Sequence, residues 1–153
     1  MAISTTTHLN FRGDARAALE FYRSVFGGQL TAVAYGDFGM PKELPDADKI
    51  VFGQVTAENG FRIMAYDVPS QAPAVVAPAA TTRENGMTLT GERFFVSVRG
   101  ETAEEVSTLW DKLADGADLI EKFGPSQWSP GFGMLTDRFG VTWILDVATP
   151  YAG

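Results

Sequence analysis

One pattern occurs twice along this chain: a strand-like stretch, an amphipathic helix, then three more strand-like stretches. Ala15, Ala18, Leu19, Tyr22, Val25 and Phe26 recur at i, i+3, i+4, i+7 spacing, which predicts a helix from about Asp14 to Phe26. Asp14 is its expected N-cap, and Gly27-Gly28 its left-handed stop. Val106, Leu109, Trp110 and Leu113 predict a second helix from about Thr102 to Ala114, with Thr102 and Glu105 as a capping box and Asp115-Gly116 at its end. The two helices align without a gap, Asp14 on Thr102, Tyr22 on Trp110 and Gly28 on Gly116.

Alternation predicts a strand over His8–Arg12 before the first helix and over Arg93–Val98 before the second. Leu30–Tyr35, Ile50–Ala57 and Phe61–Tyr66 follow the first helix, the last two joined by Asn59-Gly60, a hairpin signal. Leu119–Phe123, Phe132–Thr136 and Val141–Val147 follow the second, with Asp137-Arg138-Phe139-Gly140 as the turn. The order βαβββ therefore repeats. Module one spans about 5–67 and module two about 92–148, joined by a linker at about 68–91 that is rich in Ala, Pro and Thr. A loop from Asp37 to Asp48 lengthens the first copy only, and Asp37, Asp46 and Asp48 read as loop residues.

Composition narrows the chemistry. With 153 residues and 45% hydrophobic side chains, one ordinary domain can bury a core without staples. The absence of cysteine removes disulfides, thiolate metal sites and thiol catalysis, and fits a reducing cytoplasm. His8 is the single histidine, so no mechanism can draw two imidazoles from one chain. A net charge of −7 argues against nucleic acid and anionic membranes as partners. No apolar run approaches the roughly 18 residues of a membrane span, and Met1–Thr7 lacks the basic and apolar regions of a signal peptide.

Specific motifs add a resemblance. The tandem βαβββ order resembles the vicinal oxygen chelate superfamily, which includes glyoxalase I, bleomycin-resistance proteins and extradiol dioxygenases. His8-Leu9-Asn10-Phe11, Ala18-Leu19-Glu20-Phe21-Tyr22 and Val25-Phe26-Gly27-Gly28 resemble the opening of its PhnB-like branch. So do Tyr35–Gly39, Pro45–Ile50 and, after Trp128, the run Gly131–Gly140 with Trp143. The resemblance implies an α+β fold of two curled, mainly antiparallel sheets around a cleft, and a homodimer. It also implies a metal site to which each module gives one ligand near the start of its first strand and one on its last. Relatives in this branch are often labelled ubiquinone-pathway methyltransferases. This chain lacks the Gly-rich strand-to-helix turn that a nucleotide-type cofactor requires.

Strand alternation places the implied ligand positions, because the face under a helix must be apolar. Leu9 and Phe11 take the helix side of the first strand, leaving His8, Asn10 and Arg12 for the cavity. Phe94, Val96 and Val98 take it in the second module, leaving Arg93, Phe95 and Ser97. Arg62, Met64 and Tyr66, and then Thr142, Ile144 and Asp146, face the cavity from the last strands. The four positions read His8, Met64, Arg93 and Ile144; counting back from Tyr22 instead puts Thr7 in the place of His8. One imidazole beside a guanidinium is a poor cation site. His8 is the only candidate metal ligand, and no cofactor is expected.

The sequence therefore predicts a small-molecule-binding protein without a catalytic metal, its ligand held between His8, Arg62, Tyr66, Arg93 and Trp128. His8 could act as base or ligand contact, the two arginines could hold an anionic or carbonyl group, and Tyr66 and Trp128 could stack on an aromatic one. Trp110 and Trp143 fall on packing faces. The alternative is a metal-dependent lyase, isomerase or dioxygenase acting on vicinal oxygens. A third reading is an interaction module that takes no small ligand.

Overall fold

Both apolar stripes fold as helices in the computed structural model, which describes residues 2–149. Helix α1 spans Ala15–Phe26 and helix α2 spans Ala103–Leu113. Each sits in its own compact unit, the two dividing between Val75 and Val76. The class is α+β, and each unit carries the βαβββ order.

In the first unit, β1 (Thr7–Phe11), α1, β2 (Gln29–Ala34), β3 (Ile50–Thr56) and β4 (Arg62–Asp67) form one sheet in the order β1-β4-β3-β2. β1 runs parallel to β4 and the other neighbours are antiparallel. The parallel pair needs a crossover, and α1 begins that return to the sheet. Its stripe of Ala15, Ala18, Leu19, Tyr22, Val25 and Phe26 is buried. Leu9, Val55, Ile63 and Ala65 on the sheet are buried as well. Burying each large side chain is worth about 1.5–3 kcal/mol. Phe61 joins this side by stacking on Phe26, with ring centroids 3.9 Å apart.

The expected Asp14 cap does not form, since its side chain makes no capping bond. Asp67 supplies the acceptor instead. Its Oδ1 accepts from the N–H of Gly13 at 2.7 Å and of Ala15 at 3.1 Å, and its Oδ2 accepts from the N–H of Ile50 at 2.9 Å. A buried carboxylate is tolerable only when its lone pairs are taken in this way.

The second unit repeats the plan with β7 (Val96–Gly100), α2, β8 (Asp118–Gly124), β9 (Phe132–Thr136) and β10 (Thr142–Val147), ordered β7-β10-β9-β8. Here the predicted cap is present: the Thr102 side chain accepts from the N–H of Glu105 at 3.1 Å. Val106, Trp110 and Leu113 are buried against a sheet face that carries Trp143, Leu145 and Val147. Gly133 permits this approach, because a Cβ there would stand 2.7 Å from Cζ3 of Trp110. The β3–β4 and β9–β10 turns match as well. In each a backbone N–H donates across the turn, Gly60 to Ala57 and Gly140 to Asp137, and each glycine has positive φ.

Two segments differ from the sequence reading. The strand before α2 begins at Val96 rather than Arg93, and Phe94, expected beneath the helix, is 60% exposed. A run of three apolar residues, Phe94-Phe95-Val96, blurs the alternation that would set the start. Within 68–91 the chain forms a hairpin, β5 (Thr82–Glu84) and β6 (Met87–Leu89), across Asn85-Gly86 with φ of 51° and 77°. Two consecutive positive φ values mark the type I′ turn that Asn-Gly favours.

The caps make a graded prediction. Asp67→Ala, which orphans three N–H groups, should lower stability by about 3 kcal/mol or more. Thr102→Ala should cost about 1 kcal/mol, and Asp14→Ala about 0.5 kcal/mol or less. Urea midpoints at constant m-value are the measurement, and equal costs for Asp14 and Asp67 would contradict the assignment.

Candidate functional site

Pleating sends the side chains of the first sheet to two faces. Leu9, Ile63, Ala65 and Val55 go to the side of α1, so His8, Asn10, Arg62, Met64, Tyr66, Gln54 and Thr56 stand on the other. His8 lies opposite Met64 in the parallel register and Asn10 opposite Tyr66. Phe52, one residue beyond the Gly53–Ala65 pair, shares the face and is partly exposed. Thr31 and Val33 extend it across β2, paired with Gln54 and Phe52. None of these side chains is acidic, in a chain whose net charge is −7.

Contacts on this face are local. The His8 ring meets Tyr66 edge-on, centroids 5.2 Å apart. Its Nδ1 lies 3.2 Å from Oδ1 of Asn10. The amide oxygen can only accept, so Nδ1 is the donor in this contact and Nε2 is left for other partners. Arg62 Nη2 donates to the carbonyl of Thr5 at 2.9 Å, and Gln54 Nε2 donates to Oγ1 of Thr56 at 2.8 Å. Three of the predicted residues, His8, Arg62 and Tyr66, thus fall on one face.

The other two belong to the second unit. Arg93 is exposed and precedes β7, so it is not the counterpart of His8. The parallel register pairs Ile144 with Ser97, which stands where the alternation argument put Arg93. Trp128 packs edge-on against Phe132 at 5.1 Å, outside any strand. On the sheet face away from α2, Asp146 accepts two bonds from Arg99, from Nε and Nη2, each 2.9 Å long. Arg83, on β5, lies with its guanidinium carbon 5.1 Å from the Phe132 centroid and 5.9 Å from that of Trp128. Sequence reasoning singled out neither Arg99 nor Arg83. The Asn85-Gly86 pair was the available signal for the hairpin that carries Arg83.

The donor set does not suit the divalent ion that the resemblance implies. The register gives an imidazole and a thioether, His8 and Met64, in one unit, and a hydroxyl and an aliphatic chain, Ser97 and Ile144, in the other. Hard or borderline cations need several His or carboxylate donors. No group of three or more His, Asp or Glu side chains placed to hold an ion occurs among the described residues.

Two ionisable groups of the first unit are displaced from their ordinary values. Tyr35 donates its hydroxyl to the Asp67 carbonyl at 2.7 Å, and burial, then Tyr66, Asp67 and Asp46, raise its pKa above 10.0. Asp46 is lowered from 3.8 to about 2, foremost by the N–H of Ser70 and then by Lys49 and the Ser70 hydroxyl. These bonds tie the loop between β2 and β3 to the segment after β4. Two open grooves of the first unit, of about 620 and 430 Å³, are not lined by His8, Arg62 or Tyr66, and of the residues named on this face only Thr56 borders one, the larger.

Comparison with known proteins agrees with the fold. Residues 6–145 match the family model of the Glyoxalase/Bleomycin resistance protein/Dioxygenase superfamily. Protein YjdN of Escherichia coli is 26% identical over 147 residues, covering 92% of each chain. Among solved structures, protein PA1353 from Pseudomonas aeruginosa superposes with a TM-score of 0.77 at 27% identity, covering 97% of this chain and 100% of that one. The PhnB protein from Bacillus cereus, provisionally described as a 3-demethylubiquinone-9 3-methyltransferase, gives 0.67 at 27% identity, with 95% and 100% covered.

The Asp46 bonds carry a pH signature. A carboxyl whose folded pKa is depressed contributes stability in full above its unfolded value of 3.8, and loses it as pH falls towards 2. The stability gap between the natural chain and Asp46→Asn should therefore shrink as pH drops from about 5 to about 2.5. Urea unfolding at several pH values checks this, and a constant gap would contradict it.

Proposed function

We propose that this chain, which belongs to the glyoxalase/bleomycin resistance protein/dioxygenase superfamily, binds a small aromatic molecule on the open face of its first sheet. The absence of acidic side chains from that face, in an otherwise acidic chain, is the observation that carries the reading. Tyr66 and Phe52 offer ring faces to stack on. His8 Nε2, with Nδ1 engaged by Asn10, is left to bond a ligand hydroxyl, and the Arg62 guanidinium, which spends one donor on Thr5, has others for a carbonyl or carboxylate. A hydroxylated aromatic acid or ketone matches all three groups.

The reading includes no resident catalytic metal, supported by the mismatch between the ligand positions and a divalent ion. It also includes a homodimer, supported by exposed Phe38 and Phe94. No helix among the described residues is long and apolar enough to cross a membrane.

Thermal denaturation of the full chain against hydroxylated aromatic acids, with alkylamines as controls, is the test. A ligand at ten times its Kd should raise Tm by about 3–5 °C. That rise should disappear in both His8→Ala and Arg62→Ala. An acid-induced shift that survives both substitutions, or an amine-induced shift that disappears with the same two substitutions, would refute the site.

Metal content gives a second check. Protein incubated with zinc, nickel, manganese or iron and then dialysed should retain no stoichiometric ion. Retention of about one ion per chain would restore the metal-dependent alternative.

A further inference from the structure

The face of the second sheet away from α2 meets the chain's own β5–β6 hairpin. Of the side chains on β5 and β6, Arg83 and Thr88 are partly buried, whereas Met87 and Leu89 are exposed, Met87 by 59%. The hairpin therefore docks without burying its apolar residues. A two-stranded hairpin is marginal by itself; Thr88, whose hydroxyl is 3.7 Å from Sδ of Met134, and Arg83 both reach the sheet. The Arg83 side chain is only 11% exposed. It lies near the rings of Phe132 and Trp128, bonds Oγ1 of Thr88 through Nη1 at 2.9 Å, and stands 4.0 Å from a carboxylate oxygen of Glu121. At that distance Glu121 attracts the guanidinium without accepting its proton, and the buried Nε is left without a hydrogen-bond partner.

Two aromatic rings and a flanking carboxylate are the components of a seat for an organic cation. We propose that this seat is a binding site for an organic cation with an apolar body, held closed by the β5–β6 hairpin until the cation displaces the Arg83 guanidinium. Displacement leaves Trp128 and Phe132 to face the incoming cation and Glu121 to pair with it. The orphaned Nε and the outward apolar residues make the closed state cheap to leave, since Arg83 regains water when it lifts away. The site lies wholly within the second unit and stands whether or not His8 and Arg62 bind a ligand.

Benzamidinium, a planar aromatic cation, is a suitable probe, with neutral benzamide as its control. Calorimetry on the full chain should find benzamidinium about tenfold or more tighter on Arg83→Ala than on the natural chain. Benzamide should gain nothing, and Glu121→Gln added to Arg83→Ala should reverse most of the gain. Equal affinity for the two proteins, or equal gains for the two probes, would overturn the proposal. Should Arg83→Ala lose its far-UV circular dichroism, hydrogen exchange on the natural chain decides. Benzamidinium should then accelerate exchange across 82–89, and unchanged exchange there would overturn the closed-seat assignment.

Discussion

The first unit hangs on one buried carboxylate. Asp67, 1% exposed, holds the start of α1 through Gly13 and Ala15, and the start of β3 through Ile50. It ends β4 opposite Phe11, so the parallel pair, the entry to the crossover helix and the return of the next strand meet at one side chain. Desolvating a carboxylate costs several kcal/mol, and three backbone donors beside a helix N-terminus offset it. The apolar stripe of α1 supplies most of the burial, but Asp67 helps determine where the helix begins and how it enters the sheet.

The second unit meets the same geometric demand with neutral groups. Counting from the matching turn glycines Gly60 and Gly140, Val147 stands where Asp67 stands. Thr102 caps α2, and Ser129 Oγ, close to Gly131 and Val147, bonds the N–H and carbonyl groups of both. The duplicated plan is therefore preserved in backbone geometry while its polar fastenings differ. The sheet faces away from the helices differ in the same sense: the first bonds neutral partners or backbone, His8 with Asn10 and Arg62 with the Thr5 carbonyl, whereas the second holds an ion pair, Arg99 with Asp146, beside Thr136 with Thr142.

Much of this was legible in the residues. The 3.6-residue stripes gave both helices, and alternation put His8, Arg62, Met64 and Tyr66 on one face, because an apolar helix side leaves strand residues no other choice. The start of β7 was not legible: alternation put Val96 and Val98 on the helix side, where pairing with Trp143 and Leu145 has them, but the apolar run Phe94-Phe95-Val96 gave no sign that the strand begins only at Val96. Asp14 looked like a cap because caps are local in sequence, whereas its replacement comes from the end of β4, a partner no local rule identifies. Arg83 was hidden by its surroundings. An Ala- and Pro-rich stretch reads as a linker, and the Asn85-Gly86 pair inside it carried the only sign of structure.

All three tryptophans, Trp110, Trp128 and Trp143, lie in the second unit, whereas Tyr22, Tyr35 and Tyr66 lie in the first. Indole emission is thus a readout of one half of the chain, while backbone dichroism averages over both. A denaturation curve followed by the two signals together would separate a single cooperative transition from the independent melting of duplicated halves. The uneven placement of aromatic residues makes the chain its own gauge of how far two repeats have become one folding unit.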